Sequence, residues 1–503
     1  MLSNLYIRGG GGNLGVRATP RETKLFLAGE WRDGTAGEAT QATSPATGEE
    51  LGPVAQCTRV DAGRAVEAAA GAFTGWSRET PFARAKKLHA IGDICERRRE
   101  ELAHALTLDQ GKPLHCESYE EVDELVAMWH GAAEDGIRLE GSIAPSHAPG
   151  KRVLLMRRPV GPTAVVTPWN WPYTMPAEIV APALAAGNTV VWTPASSTAL
   201  CSGLLAECIA EADLPPGVFN FLTGPGSVIG DEIVGHARTA AVGFIGSTET
   251  GLTIARRAAG KRLLLEMGGN GPLVVLDDAD LEAAADAAVT GCFLCSGQSC
   301  TAGERLLVHR AVREDLVARI AERTAAQVRL GDPFQSETTL GPLNNEGVAA
   351  KMDAHVEDAV TRGARVVAGG SRAGGQPTPL YWPATILDQV PASALAATEE
   401  TFGPIAPVVE IDSLEQAIEL TNASRYGLLA AIFTRDLGRG LRYADEAQTG
   451  LVNINETTNY WENHLPFGGR AGTASGMGRV GGRHAMETLT ELQTVVMPAS
   501  GDS

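Results

Sequence analysis

Short apolar runs alternate with longer helix-compatible stretches through the middle of the chain. TAVVT (Thr163 to Thr167), TVVWT (Thr189 to Thr193), VFNFL (Val218 to Leu222), AVGFI (Ala241 to Ile245) and RLLLE (Arg262 to Glu266) are the short runs. Strands apolar on both faces, separated by helices, imply right-handed crossovers and a parallel sheet covered on both sides. That is a doubly wound, nucleotide-binding layout, which sets the fold class as α/β. A second α/β region follows: PLVVL (Pro272 to Leu276), an Ala-rich helix, RLLVH (Arg305 to His309), a helix over Arg313 to Val328, and ARVVAGG (Ala364 to Gly370). Ahead of both, KLFLAGEWRDG (Lys24 to Gly34) reads as a hairpin, and Asp61 to Asp135 reads as helical with charges on one face. KRVLLMRRPV reads as an extended arm, with the late ETLTELQTVVMP strand as its partner. No internal repeat of fixed period is present.

Composition narrows the function. The 503 residues allow about three domains. With 44% hydrophobic and 20% charged residues, a largely disordered chain is excluded. Lys plus Arg is 42 against 60 Asp plus Glu, a net charge of −18 that repels nucleic acid and anionic membranes. Neither is expected as a partner. Pro159 to Ala177 and Ile179 to Ala206 carry no charge and are long enough to cross a bilayer. Their Asn, Thr and Pro content suits buried core and a ligand site instead. Residues 1–23 read as a flexible, Gly-rich tail without an apolar block of signal-peptide length. Eight scattered cysteines read as reduced thiols, which places the protein in the cytoplasm.

Three segments carry candidate chemistry. LTGPGSVIG sets Gly224, Gly226 and Gly230 after a strand, either a phosphate-binding turn or a plain tight turn. IGSTETG puts Gly246 and Ser247 at a helix N-terminus, which suits a pyrophosphate or is simply an N-cap. In CFLCSGQSC, Cys292 and Cys295 lie late in a helix and read as packing. No second ligand pair is present for zinc. Cys300 follows Gly297 and Gln298 in a polar loop, where a thiol can be reached. Glu266, at the end of the last strand, points to the crevice where such sheets bind ligands.

TPWNWP (Thr167 to Pro172), IGSTETG, LLLEMGG (Leu263 to Gly269), GQSC, EETFGP (Glu399 to Pro404) and PFGG with SGMGR (Pro466 to Arg479) resemble, in order and spacing, the motif set of the aldehyde dehydrogenase superfamily. The match runs from about Phe26 to Val496. The resemblance implies a Rossmann-like NAD(P)-binding domain (24–148 and 160–266), a catalytic domain (267–483), and a small β oligomerisation element (149–159 and 484–499) that builds a homodimer or homotetramer. It implies that Cys300 attacks an aldehyde and that Asn170, with the Cys300 N–H, holds the oxyanion. Glu266 then activates water against the resulting thioester. It assigns Thr167, Pro168, Trp169, Thr193, Ser196, Gly224, Gly246, Ser247, Glu400 and Phe402 to the cofactor, with no metal.

Several family positions differ. Thr193 stands where a Lys is usual and Ser196 where many NAD-using members have Glu. The two changes pull in opposite directions between NAD and NADP, and with no replacement cation in the segment NAD is preferred. Ile179 and Val480 replace a Lys and a Glu regarded as proton relays. Trp171, Tyr173, Phe293, Tyr460, Trp461 and Phe467 fall where the family lines its substrate tunnel. They suggest a bulky or aromatic aldehyde, while Glu178 would favour a cationic one. Arg305, Arg470 and His464 are candidate anchors for an acidic substrate. The alternatives are a CoA-acylating member, against which Glu266 argues, and a non-catalytic relative, against which the joint retention of Cys300, Asn170, Glu266 and Glu400 argues.

Overall fold

The computed structural model describes residues 21–37 and 39–498. Its first sheet has five parallel strands in the spatial order Arg262–Met267, Ala241–Gly246, Pro162–Val166, Thr189–Thr193, Phe219–Phe221. Chain order reverses between Pro162–Val166 and Ala241–Gly246, and a switch point of this kind opens a crevice at the strands' C-terminal ends. The hairpin Leu25–Leu27 with Glu30–Arg32 closes one edge antiparallel, and Gly476–Met477 closes the other. Helices Thr174–Ala186 and Ala199–Glu211, from the uncharged stretches, are almost wholly buried. No helix among the described residues is long and apolar enough to cross a membrane.

The second sheet has seven strands and is parallel except for the edge strand Arg365–Ala368. The arm is a strand, Lys151–Pro159, paired residue for residue with Thr490–Pro498, and Ser142–Ala144 adds a third strand.

Two expectations need correcting. Of the tail, 1–20 lie outside the described residues, but Arg21 and Thr23 donate backbone hydrogen bonds to Leu51 O (3.0 Å) and Pro53 O (2.9 Å). That backbone pairing fixes the chain before residue 24. The C-terminal strand does not begin at Glu487, and the 484–499 element is not all strand. Gly482–Thr488 is a helix whose Ala485 and Met486 are buried in the core beneath the first sheet, and the strand begins only at Thr490.

Candidate active site

The turn before Cys300 is strained. Cys295 and Ser296 both have φ of 54°, a left-handed conformation that costs side-chain-bearing residues energy. Gly297 follows at φ +70°, and a Cβ there would sit 2.1 Å from Gly403 O, so only glycine lets this backbone cross the EETFGP loop. Three contacts hold the turn. Cys295 N–H donates to Glu117 Oε1 (2.9 Å), Ser296 Oγ to Gly341 O (3.0 Å), and Gln298 Nε2 to Cys295 O (3.0 Å).

The turn delivers Cys300 to the junction of two cavities. One, about 210 Å³, is lined by Pro168, Trp169, Gly246, Ser247, Glu400 and Phe402. The other, about 430 Å³, runs past Trp171, Tyr460, Trp461 and Phe467. Cys300, Glu266 and Met175 line both. Asn170 Nδ2 donates to Gln298 O (3.0 Å), which anchors the amide beside the nucleophile loop and leaves its second N–H free. The Cys300 N–H makes no hydrogen bond among the described residues. Together these give two donors beside one sulfur.

Burial pushes the Glu266 carboxyl up to about 8, with the Glu400 charge adding to the shift and a bond from Cys300 opposing it. Burial, then the neighbouring Glu266, also pushes the Cys300 thiol up. Glu266 therefore becomes a proton acceptor as the pH rises through about 8. Glu400 is held by the Gly269 N–H (Oε1, 2.8 Å) and pushed up by burial to about 7. At Gly268 a Cβ would lie 2.8 Å from both Glu400 oxygens, so a side chain there would push this carboxylate out of its place. Trp169 meets Phe402 edge-on at 5.5 Å. The first cavity's carboxylate and aromatic pair could hold the hydroxyls and ring of a bound cofactor. Ser247 caps the N-terminus of helix Thr248–Arg257, which suits a pyrophosphate.

Not every sequence candidate arrives. Thr167 is buried, its Oγ1 taken by Trp192 Nε1 (2.9 Å). Thr193 is buried at a strand end with Oγ1 unpartnered, Ser196 is exposed in a short 3₁₀ turn, and Gly224 packs against Cys57. None of these four lines the two cavities. Tyr173 is not a tunnel residue. It is fully buried and its OH donates to Leu102 O (2.9 Å). Phe293 likewise belongs to the core beneath the second sheet. Arg305 spends its donors on Asn270 O and Leu420 O (both 2.9 Å), Arg470 is exposed, and His464 lines a separate small cavity. None is an anchor at the thiol. Ile179 packs on Gly243, and Val480 exchanges backbone hydrogen bonds with Phe467, so neither position relays protons.

Sequence reasoning missed two residues. Glu304 accepts from Thr401 N (2.8 Å) and Phe402 N, fixing the loop that carries Glu400 while Phe402 sits at φ 60°. Lys351 donates to Glu400 O (3.2 Å) and brings a cation to the first cavity. Only an acid just past the nucleophile hinted at the first, and nothing in its amphipathic helix marked the second.

The sequence profile described as "Aldehyde dehydrogenase family" matches residues 31–495. A 3-sulfolactaldehyde dehydrogenase of Pseudomonas putida is 37% identical, covering 94% of this chain and 96% of that protein. An NADP(+) succinate-semialdehyde dehydrogenase of Escherichia coli is 37% identical over 93% of this chain and 96% of its own length. A crystal structure of Staphylococcus aureus betaine aldehyde dehydrogenase with NAD+ superposes with a TM-score of 0.91 at 32% identity, covering 96% of this chain and 98% of that one.

Proposed function

The chain belongs to the aldehyde dehydrogenase family, oxidising an aldehyde group with NAD or NADP, and on that premise we propose that it works through a Cys300 thioester hydrolysed at Glu266. The observation that carries this reading is the junction. One thiol stands where the cofactor-sized cavity meets the outer tunnel, with one buried carboxyl lining both.

The Cys300 thiol gives up its proton to bulk water and its sulfur bonds to the aldehyde carbon. The carbonyl electrons move to oxygen, where Asn170 and the Cys300 N–H hold the negative charge. A nicotinamide cofactor held beside Trp169, Glu400 and Phe402 would supply the acceptor for the hydride leaving that carbon. Glu266 then draws a proton from water, the water oxygen bonds to the acyl carbon, and the sulfur departs as the carboxylic acid forms. Removing one oxyanion donor, as in Asn170→Ala, is expected to lower kcat by about 10²-fold, read as NAD(P)H absorbance at 340 nm.

Glu304 acts through the loop it holds. Glu304→Gln forfeits acceptor strength toward two N–H donors and is expected to raise the NAD(P) Kd by about tenfold in a fluorescence titration.

The relatives named above act on short aldehydes with a charged far end, which favours a short charged substrate over the bulky aromatic one that the six aromatics suggested. Two of those six, Tyr173 and Phe293, do not line the tunnel. The chain assembles as a homodimer or homotetramer in the cytoplasm. In support, the free edge of Thr490–Pro498 exposes Leu492 and Val496, an arrangement that invites strand pairing, and all eight cysteines are free thiols. Steady-state NAD(P)H formation with short aldehydes tests the function. Silence with both cofactors would refute it.

A further inference from the structure

The tunnel that runs outward from Cys300 is walled by carboxylates, and among the described residues no Lys, Arg or His lines it, Lys112 lying buried behind Glu121. Building on the dehydrogenase reading above, we infer that this tunnel selects an aldehyde with a positively charged nitrogen at its far end, held between the unpaired glutamates and the aromatic wall.

Glu117, Glu120, Glu121 and Glu124 recur at helical spacing and present one acidic face. Glu178 comes from the facing helix and is the one charged residue between Pro159 and Ala206. Only Glu121 is fully accounted for: Lys112 Nζ pairs with it at 2.6 Å, both side chains buried, and Tyr173 N donates to its other oxygen (2.9 Å). Glu117 accepts from Cys295 N through Oε1, while its Oε2 is buried with no partner in a residue 4% exposed. Glu120, Glu124 and Glu178 make no hydrogen bond or ion pair among the described residues, although Glu124 and Glu178 are at least half-buried.

Unpaired acids held this close are costly, and the cost shows in their protonation. Glu117 and Glu124 are each pushed up to about 7, by burial first and against the opposing charge of Lys112, and Glu178 is pushed up by burial and by the Glu266 and Glu124 charges. A cation arriving with the substrate removes that cost, whereas a second carboxylate adds to it. The aromatic lining suits a cation too. Tyr460 and Trp461 line the tunnel, and aromatic rings attract a weakly hydrated ammonium. Trp171 already holds one cation: Lys112 Nζ, paired with Glu121, lies 3.2 Å from its ring centroid.

The test uses three aldehydes of matched length: 4-(trimethylammonio)butanal, its neutral carbon isostere 5,5-dimethylhexanal, and 5-oxopentanoate. The proposal expects kcat/KM for the cation to exceed the neutral isostere by about tenfold or more, and the anion by about a hundredfold or more. It further expects the cation-to-neutral ratio to fall about tenfold in Glu178→Gln and in Glu124→Gln, mainly through the cation's KM. An anion oxidised as well as the cation, or a ratio unmoved in both variants, overturns the proposal while turnover of the isostere leaves the dehydrogenase reading standing. If no aldehyde turns over, that reading fails and a binding measurement decides this one. Butyltrimethylammonium must then perturb the tunnel tryptophan fluorescence and glutarate must not; equal effects, or none, overturn it.

Discussion

Replacing Cys300 with alanine is expected to abolish steady-state NAD(P)H formation, by about 10⁴-fold or more, because no other group can make the covalent bond. Neighbouring thiols do not substitute. Cys292 Sγ donates to Gly303 O (3.1 Å) in the core of the second sheet, and Cys295 Sγ donates to Asn170 O (3.6 Å) with its thiol pushed up by burial to about 12. Cofactor affinity is expected to survive, since Glu400, its Gly269 donor and Phe402 are untouched. Absorbance at 340 nm reads the first effect and a fluorescence titration the second. Lost turnover with retained binding separates a missing nucleophile from a damaged fold.

Glu266→Gln is expected to spare acyl-enzyme formation more than its breakdown. A general base contributes about 10²–10⁴-fold, so the variant should give a burst of NAD(P)H and then turn over slower by about that factor. The sign of the pH effect follows from the buried carboxyl. Burial raises its pKa to about 8, and only the deprotonated form accepts a proton from water. Deacylation in the native enzyme therefore rises with pH through about 8, and that limb vanishes in Glu266→Gln. A kcat that falls across this range would contradict the assignment of Glu266 as the base.

The strands of the first sheet were legible because both of their faces are buried, so apolar runs end close to where the strands do. TVVWT coincides with the observed strand, and RLLLE falls one residue short of it. The junction residues were legible through motif order, which placed Asn170, Glu266 and Cys300 together before any coordinate did. Direction was not legible. Tyr173 and Phe293 are aromatic in the right segments, but residue type does not say which way a ring turns, and both face the core. Glu304 and Lys351 reach the Glu400 loop from distant segments, a tertiary relation with no local signature. The acidic stripe over 117–124 has the spacing of a solvated helix face. Periodicity identifies a face but not what stands opposite it, and here that is the tunnel.

The central claim is a covalent acyl intermediate on Cys300. The most direct measurement is peptide mass spectrometry of Glu266→Gln mixed with cofactor and an aldehyde that the native enzyme oxidises, quenched in acid at the end of the burst. The account predicts an acyl adduct confined to the peptide carrying Cys300, formed in step with the 340 nm burst. A burst without an adduct, or an adduct on any other residue, would contradict it.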